Sequence, residues 1–310
     1  MSAVVRADEH FSTMGTTAHI IVTASSATRT DAETLAEWGR RRVRDLEERW
    51  SRFLPGSEIS RLNANGGGEL RVSADTRLLV RRAVEGWSVT EGRFDPTLLA
   101  SLISIGYSKT FEAVQRDAPV AVGTPMPAHG CGAIVVDDHR STIRLPRGVG
   151  FDPGGIGKGL AADLVVEELL AAGANGACVE IGGDVRMAGD GPEGRGWMVR
   201  IEDPRPGNDA IAEVWLQEGA VASSSLLRRQ WVAAGRSFHH LLDPTTGLPV
   251  RADVAGASVV ASRGWLAEVL ATAACVDGVG AAIAAVGASG VVVPRHGRPR
   301  HVGDLACFAR

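Results

Sequence analysis

Apolar residues that recur at spacings of three to five predict the long helices of this chain. The first begins at a capping-box pattern, Thr30-Asp-Ala-Glu33, and Pro55-Gly56 ends it. Its apolar face consists of Leu35, Trp38, Val43, Leu46, Trp50 and Phe53. The same pattern predicts further helices at residues 74–90, 158–172, 264–276 and 278–287.

Short runs of β-prone residues predict the strands, at residues 17–23, 132–137, 141–145, 177–181, 185–188, 197–202, 212–216 and 290–293. Strands separated by short turns, mixed irregularly with helices, favour an α+β fold built mainly of antiparallel sheet. The segment 112–130 carries three prolines and no clear period. It is therefore predicted to be a linker within a single domain that spans residues 1–310.

The composition indicates a globular protein with a substantial core, since 45% of the 310 residues are hydrophobic. The net charge of -3 and the pI of about 6.3 do not suggest the basic surface that nucleic-acid binding requires. The arginines of Arg40–Arg44 lie among acidic residues, so a solvated helix face is predicted there.

The cysteines and the N-terminal residues bear on the compartment. Four cysteines lie far apart and form no Cys-x-x-Cys pair, which argues against a thiolate zinc site. Their apolar or small neighbours predict buried, reduced thiols at Cys131, Cys178, Cys275 and Cys307. Met1–Phe11 lacks the apolar run of a signal peptide, and no segment is apolar for long enough to span a membrane. We therefore expect a cytoplasmic protein.

The segment Asp152-Pro-Gly-Gly-Ile-Gly-Lys158-Gly159 is the first candidate for chemistry. A glycine backbone just before a predicted helix can approach a phosphate closely, with the lysine as counter-charge. It is not a P-loop, because Gly159 stands where that motif needs serine or threonine. It does not match the dinucleotide-binding motif Gly-x-Gly-x-x-Gly either, because Leu160 occupies the position of the last glycine. Taken alone, it fits a helix-capping turn equally well.

Two further signals are weak when taken singly. Glu268 and Thr272 lie four residues apart on a predicted helix, so both oxygen-bearing side chains emerge on one face, as a magnesium site needs. A surface glutamate and a packed threonine would give the same spacing. His240 precedes an Asp-Pro turn, and a near-neutral pKa would suit a general base, although a histidine bonded into a turn is more common.

Together these signals resemble the FAD:protein FMN transferase family, also called ApbE. The resemblance covers about residues 12–276, in the family's order. It rests on Met14-Gly-Thr16, Ser57-Glu-Ile-Ser-Arg-Leu-Asn63, Phe94-Asp-Pro-Thr97, Asp152 to Gly159, Gly182-Gly-Asp184, His240-Leu-Leu-Asp-Pro-Thr-Thr-Gly247 and Ala267-Glu-Val-Leu-Ala-Thr272.

The resemblance implies an ApbE-like α+β fold of two interleaved subdomains. It implies Mg²⁺-dependent transfer of FMN from FAD to a threonine or serine hydroxyl of a target flavoprotein, with release of AMP. His240 corresponds to the proposed base, and Gly155 (through its carbonyl), Glu268 and Thr272 correspond to the metal ligands. The residues that correspond to FAD contacts are Met14, Phe53, Asp95, Pro96, Thr97, Asp152, Lys158 and Leu242.

This chain departs from the family pattern at four places. Glu268 stands for the usual aspartate, Gly155 for alanine and Phe53 for tyrosine. Ser223-Ser-Ser-Leu-Leu227 replaces a Thr-Ser-Gly-Asp-Tyr stretch and so lacks an acid and an aromatic residue. Because the 223–227 segment is altered, an FAD pyrophosphatase remains an alternative function. Because the metal ligand at position 268 is altered, a non-catalytic FAD carrier remains a second alternative.

Overall fold

Antiparallel strands and helices are mixed along the chain in the computed structural model, which describes residues 4–25, 29–116, 122–194 and 196–308. The strands are β1 (Val4–Thr13), β2 (Thr16–Ser25), β3 (Leu70–Arg71), β4 (Val135–Asp137), β5 (Thr142–Arg144), β6 (Gly176–Ile181), β7 (Asp184–Gly189), β8 (Trp197–Ile201), β9 (Ala212–Leu216), β10 (Glu218–Ser225), β11 (Gln230–Ala233), β12 (Arg236–His239), β13 (Val254–Ala261), β14 (Ser289–Pro294) and β15 (Arg300–Val302). The helices are α1 (Arg29–Trp50), α2 (Glu58–Ala64), α3 (Ala74–Val89), α4 (Leu99–Ser104), α5 (Phe111–Arg116), α6 (Gly157–Ala171), α7 (Gly264–Asp277) and α8 (Ala281–Ala285), with 3-10 turns at Pro96–Leu98 and Leu305–Phe308.

Eight strands form one central sheet in the order β1-β2-β6-β7-β10-β13-β14-β15, and each neighbouring pair is antiparallel. Smaller sheets consist of β3-β5-β4, β8-β9 and β11-β12. The predicted α+β class with mainly antiparallel sheet is therefore confirmed.

The two faces of the central sheet pack against different layers. Val179 of β6 belongs to a core cluster with Leu46 of α1 and Val165 of α6. The preceding residue, Cys178, belongs to a second cluster with Val214 of β9 on the opposite face. Successive strand residues point to opposite faces, so the sheet lies between a helical layer and the β8-β9 ribbon.

The sequence pattern located α3, α6 and α7 to within one residue at each end, but α1 ends at Trp50, so Phe53, predicted on its apolar face, lies beyond the helix. The pattern missed β1, β3, β11, β12 and β15, and it also missed two central strands, β10 and β13. β10 and β13 carry small residues, and β13 is buried at nearly every position. A strand that is covered on both faces shows no apolar–polar alternation, so this signal is absent from its sequence. The helix predicted at 278–287 is shorter, because Gly278 and Gly280 adopt φ angles of 70° and 77° and separate α8 from α7.

The segment predicted as a linker is largely attached to the rest of the fold. Its start belongs to α5, the amide of Gly123 donates to the Ser104 carbonyl (2.7 Å), and the amide of Ala128 donates to the Pro244 carbonyl (2.8 Å). Residues 117–121 lie outside the described ranges. The assignment of 1–310 to one domain stays a prediction.

Three smaller predictions need correction. Thr30 was predicted to cap α1, but the helix already begins at Arg29, and the Thr30 side chain lies outside the described atoms. Arg42 is not on a solvated face, since its guanidinium bonds to Asp75 (2.9 Å) and Glu168 (3.0 Å) and joins three helices. Cys131, Cys178 and Cys275 are buried as predicted, whereas Cys307 is exposed.

Across the described ranges, no helix combines the length and apolar character needed to cross a membrane.

The first turns of α6 and α7 touch backbone to backbone. A Cβ atom on Gly159 would lie 2.3 Å from the Gly264 carbonyl oxygen, so only glycine fits there. Asp163 fixes the same contact, because its carboxylate accepts from the amides of Gly264 (2.8 Å) and Trp265 (2.9 Å). The contact places Lys158 beside the second turn of α7.

We expect Gly159→Ala to destabilise the protein by about 3 kcal/mol, because the added methyl group must push two backbones apart. Gly157→Ala is the matched control in the same turn, since its Cβ would meet only the Pro153 Cβ, at 3.6 Å. This control should change the free energy of unfolding by less than about 1 kcal/mol. Urea unfolding of both variants measures the difference, and equal stabilities would contradict the contact.

Candidate active site

One open cavity of about 630 Å³ gathers nearly all of the residues that the sequence singled out. This volume suits a drug-sized or nucleotide-sized ligand. The predicted residues that line it are Met14, Phe53, Asp95, Pro96, Asp152, Gly155, Lys158, His240, Leu242, Glu268 and Thr272. Thr97 lies behind this wall, where its hydroxyl donates to Asp95 (2.6 Å) and accepts from the amides of His129 and Gly130 (both 3.1 Å).

A buried ammonium between two carboxylates forms the charged centre of the cavity. Lys158 Nζ donates to Asp184 Oδ2 and to Glu268 Oε1. The remaining oxygens accept backbone amides, with Gly159 on Glu268 Oε2 (2.8 Å) and Ser223 on Asp184 Oδ1 (3.2 Å). Both carboxylates are almost completely buried, so each depends on these partners.

The pKa values at this centre follow from burial and from the excess of carboxylates. Burial is the main cause that raises the pKa of Glu268 to about 7. The negative charge of Asp184 raises this pKa further, whereas the positive charge of Lys158 lowers it. Burial alone would lower the pKa of Lys158, but the two carboxylates raise it above its ordinary value. Asp184 was absent from the predicted site residues, although the Gly182-Gly-Asp184 motif was available as a signal.

The predicted metal ligands converge beside this centre. Thr272 lies one turn after Glu268 on α7, and its Oγ1 is 3.2 Å from Ser224 Oγ. A Cβ atom on Gly155 would lie 3.5 Å from Thr272 Oγ1 and 3.0 Å from the Phe94 ring, so the backbone at Gly155 closely approaches both. Carboxylate, hydroxyl and peptide oxygens are the donors that a hard cation takes, so these residues fit Mg²⁺.

His240 lines the cavity with an imidazole that is neutral at physiological pH. Its Nδ1 atom is buried and has no hydrogen-bond partner among the described residues. Burial lowers its pKa to about 3, and the nearby Arg229, His239 and Lys158 contribute in the same direction. The near-neutral pKa expected from sequence is therefore wrong. An anion bound in the cavity would oppose those charges and raise the pKa.

A cationic and aromatic wall faces this centre. The Arg52 guanidinium carbon lies 4.1 Å from the Phe53 ring centroid and 4.7 Å from that of Tyr107, distances typical of cation–π contacts. Arg52 Nε also lies 3.3 Å from Asp152 Oδ2. Sequence reasoning missed Arg52 and Tyr107, because neither belongs to a motif that it used.

Met14 occupies the tip of the β1-β2 hairpin in a left-handed conformation, with φ of 50°. Its amide donates to Glu47 Oε1 (2.6 Å), and the Thr13 hydroxyl donates to Glu47 Oε2 (2.7 Å). These two bonds from α1 hold the hairpin tip at the rim of the cavity.

Comparison with known proteins assigns the family. A model of the ApbE family matches residues 14–292. The chain belongs to the ApbE family. It is 28% identical over 267 residues to the FAD:protein FMN transferase of Haemophilus influenzae. The aligned region covers 84% of this chain and 77% of that protein. The corresponding Vibrio cholerae protein is 28% identical over 271 residues, covering 86% and 80%.

Solved structures of the ApbE family share the fold. The crystal structure of the ApbE protein from Thermotoga maritima superposes with a TM-score of 0.84 and 26% identity, covering 98% of this chain and 99% of that one. The flavin transferase ApbE from Vibrio cholerae gives a TM-score of 0.81 at 23% identity, with the same coverage. The predicted ApbE-like fold and family membership are confirmed.

His240 should make stability depend on pH below neutrality. Its folded-state pKa is depressed to about 3, so between about pH 6.5 and 3 the unfolded chain binds a proton that the folded protein does not. Stability is therefore lost as the pH falls through this window. Between pH 7 and pH 5, we expect the free energy of unfolding to fall by on the order of 1–2 kcal/mol less in His240→Gln than in the unaltered protein. Solvent that reaches the cavity limits the size of this difference.

Urea unfolding at the two pH values measures this effect. His296→Gln, at an exposed histidine, is the control. A pH dependence in His240→Gln identical to that of the unaltered protein would show that the buried imidazole does not carry it.

Proposed function

We propose that this protein transfers FMN from FAD to a threonine or serine hydroxyl of a target flavoprotein and releases AMP, in a Mg²⁺-dependent reaction. The observation that carries the proposal is the meeting of Lys158, Glu268, Thr272 and His240 in the wall of one cavity. Asp184 lies behind this wall and accepts a hydrogen bond from Lys158. Relatives named FAD:protein FMN transferase support it. The cytoplasmic location stays a prediction from sequence.

His240 accepts the proton of the acceptor hydroxyl. The hydroxyl oxygen then forms a bond to the FMN phosphorus, and the bond from that phosphorus to the bridging oxygen breaks, so that the bridging oxygen leaves with AMP. A neutral imidazole is ready to take a proton, and the charge of the pyrophosphate would raise its pKa in the complex. Lys158 supplies a fixed positive charge beside the reacting phosphates.

We propose that Glu268, Thr272 and the carbonyl of Gly155 hold Mg²⁺, with Asp184 beside them. When bound, the ion neutralises charge on the phosphate oxygens. Glu268 already accepts the Gly159 amide through Oε2, which fixes the carboxylate that would face the ion. Lys158 bonds to the other oxygen, Oε1, so the ammonium group lies beside the residues that would hold the ion.

We propose that FAD lies along the cavity wall. Met14 and Phe53 offer apolar surface to the flavin, and Asp152 and Lys158 lie where the phosphates enter the charged centre. Asp95, Pro96 and Leu242 also line this wall, whereas Thr97 supports it through Asp95 and the 129–130 backbone.

Replacing His240 should separate binding from chemistry. We expect His240→Gln to keep FAD affinity within about threefold while transfer falls by 10²–10⁴-fold, the usual contribution of a general base. Acceptor mass and AMP release measure transfer, and quenching of flavin fluorescence measures binding. His296→Gln, remote from the cavity wall, is the control. A wild-type transfer rate in His240→Gln would remove this residue as the base.

The same assay distinguishes the alternatives. AMP together with free FMN, and no mass gain on any acceptor, would favour the FAD pyrophosphatase. The segment Ser223–Leu227 motivates this alternative, since its serines now line the cavity at positions 223–225. Bound FAD without AMP release would favour the carrier.

Altering the metal ligands should change the response to Mg²⁺ more than FAD binding. We expect Glu268→Gln and Thr272→Val each to raise the Mg²⁺ concentration for half-maximal transfer by about tenfold or more, because each removes an oxygen donor or its charge. Glu193→Gln, at an exposed glutamate, is the control. A Mg²⁺ titration of transfer measures the shift, and unchanged curves would place the ion elsewhere.

A further inference from the structure

Three metal-ligating side chains meet on the outer part of the β1-β2 hairpin, on the sheet face opposite the helices. Asp8 and His10 lie two residues apart on β1 and therefore share a face of the strand. His19 of β2 is the direct cross-strand partner of His10, and their rings stack with centroids 3.7 Å apart. His19 Nε2 lies 2.9 Å from Asp8 Oδ1.

The spacing of these groups suits a single ion. One ligand atom from each of Asp8, His10 and His19 lies within 4.8 Å of the others. Some point therefore lies within about 2.8 Å of all three, and zinc bonds to nitrogen or carboxylate oxygen are about 2.0–2.2 Å. Small side-chain rotations close this difference, and all three residues are accessible to solvent.

We propose that Asp8, His10 and His19 form a site for a borderline divalent cation of the Zn²⁺ class, separate from the proposed active site. Two imidazoles and one carboxylate are the donors that Zn²⁺ takes, whereas Mg²⁺ prefers oxygen ligands alone. On binding, the ion takes the place of the hydrogen bond between His19 and Asp8, and His19 binds it through a ring nitrogen that carries no proton. Water completes the coordination.

The surroundings of the cluster prepare Asp8 for this role. Arg6 donates to both oxygens of the Asp8 carboxylate, from Nε to Oδ2 (2.8 Å) and from Nη2 to Oδ1 (2.5 Å), and so holds the carboxylate beside His19 as an outer partner orients a metal ligand. Partial burial opposes ionisation of Asp8, but hydrogen bonds from Arg6 and His19 lower its pKa below the ordinary value. Glu180, the β6 residue paired with His19, adds negative charge on the same face and offsets that of Arg6.

An ion here would fasten β1 to β2. The described part of β1 pairs only with β2, at the edge of the central sheet. The same hairpin carries Met14 at its tip, on the rim of the cavity. Zn²⁺ bound here would therefore stabilise the edge hairpin. Unfolding measurements detect this effect without an assay of FMN transfer.

Zinc titration of the full chain in excess Mg²⁺ tests the site. Isothermal titration calorimetry should show one more Zn²⁺ bound to the unaltered protein than to the His10→Ala/His19→Ala double variant. Each single histidine variant and Asp8→Asn should lower the affinity by about tenfold or more. His301→Ala, at an exposed histidine on the opposite edge strand β15, should bind as the unaltered protein does.

Thermal unfolding supplies a second measurement. Zn²⁺ should raise the Tm of the unaltered protein and of His301→Ala, but not that of the double variant, since only an ion bound to the folded state stabilises it. The Tm without Zn²⁺ verifies that each variant folds. Equal Zn²⁺ binding by the unaltered protein and the double variant would overturn the proposal, and so would the absence of saturable binding.

Discussion

The close contact between the first turns of α6 and α7 is the constraint on which the site depends. Gly159 and Gly264 leave no room for a side chain between the helices, and Asp163 fixes the start of α7 by accepting two of its amides. Helix ends leave amide groups unpaired, so this carboxylate also satisfies donors that would otherwise be buried without partners. The geometry brings Lys158, from one helix, against Glu268, from the other.

The charged centre that results is poorly suited to stability alone. Two buried carboxylates share one ammonium group, and desolvation of this kind is costly even when the charges are paired. Burial, and after it the negative charge of Asp184, raises the pKa of Glu268. A bound cation would relieve this imbalance, which supports the proposal that Glu268 and Thr272 hold a metal ion. Glu268 in place of the usual aspartate fits this geometry because its longer side chain reaches both Lys158 and the Gly159 amide.

The neutral state of His240 has the same origin. Burial and the positive charges of Arg229 and Lys158 oppose protonation of its imidazole. The wall formed by Arg52, Phe53 and Tyr107 extends the same principle, since it joins flat apolar surface to positive charge. Anion and base are thus coupled, because binding of the first would raise the proton affinity of the second.

The sequence by itself determined the long helices, the α+β class and the family, because amphipathic periodicity and ordered motifs are local properties of the chain. It singled out Lys158, His240, Glu268 and Thr272 as candidates for the same reason, and the structure brings these four residues to one cavity. Only the tertiary structure revealed β10 and β13, whose burial on both faces removes the alternation that marks a strand. The ion pairs of Asp184 with Lys158 and of Arg52 with Asp152 were found only in the tertiary structure. The same is true of the lowered pKa of His240. Burial and charge pairing arise between residues that are distant along the chain, so no local pattern encodes them.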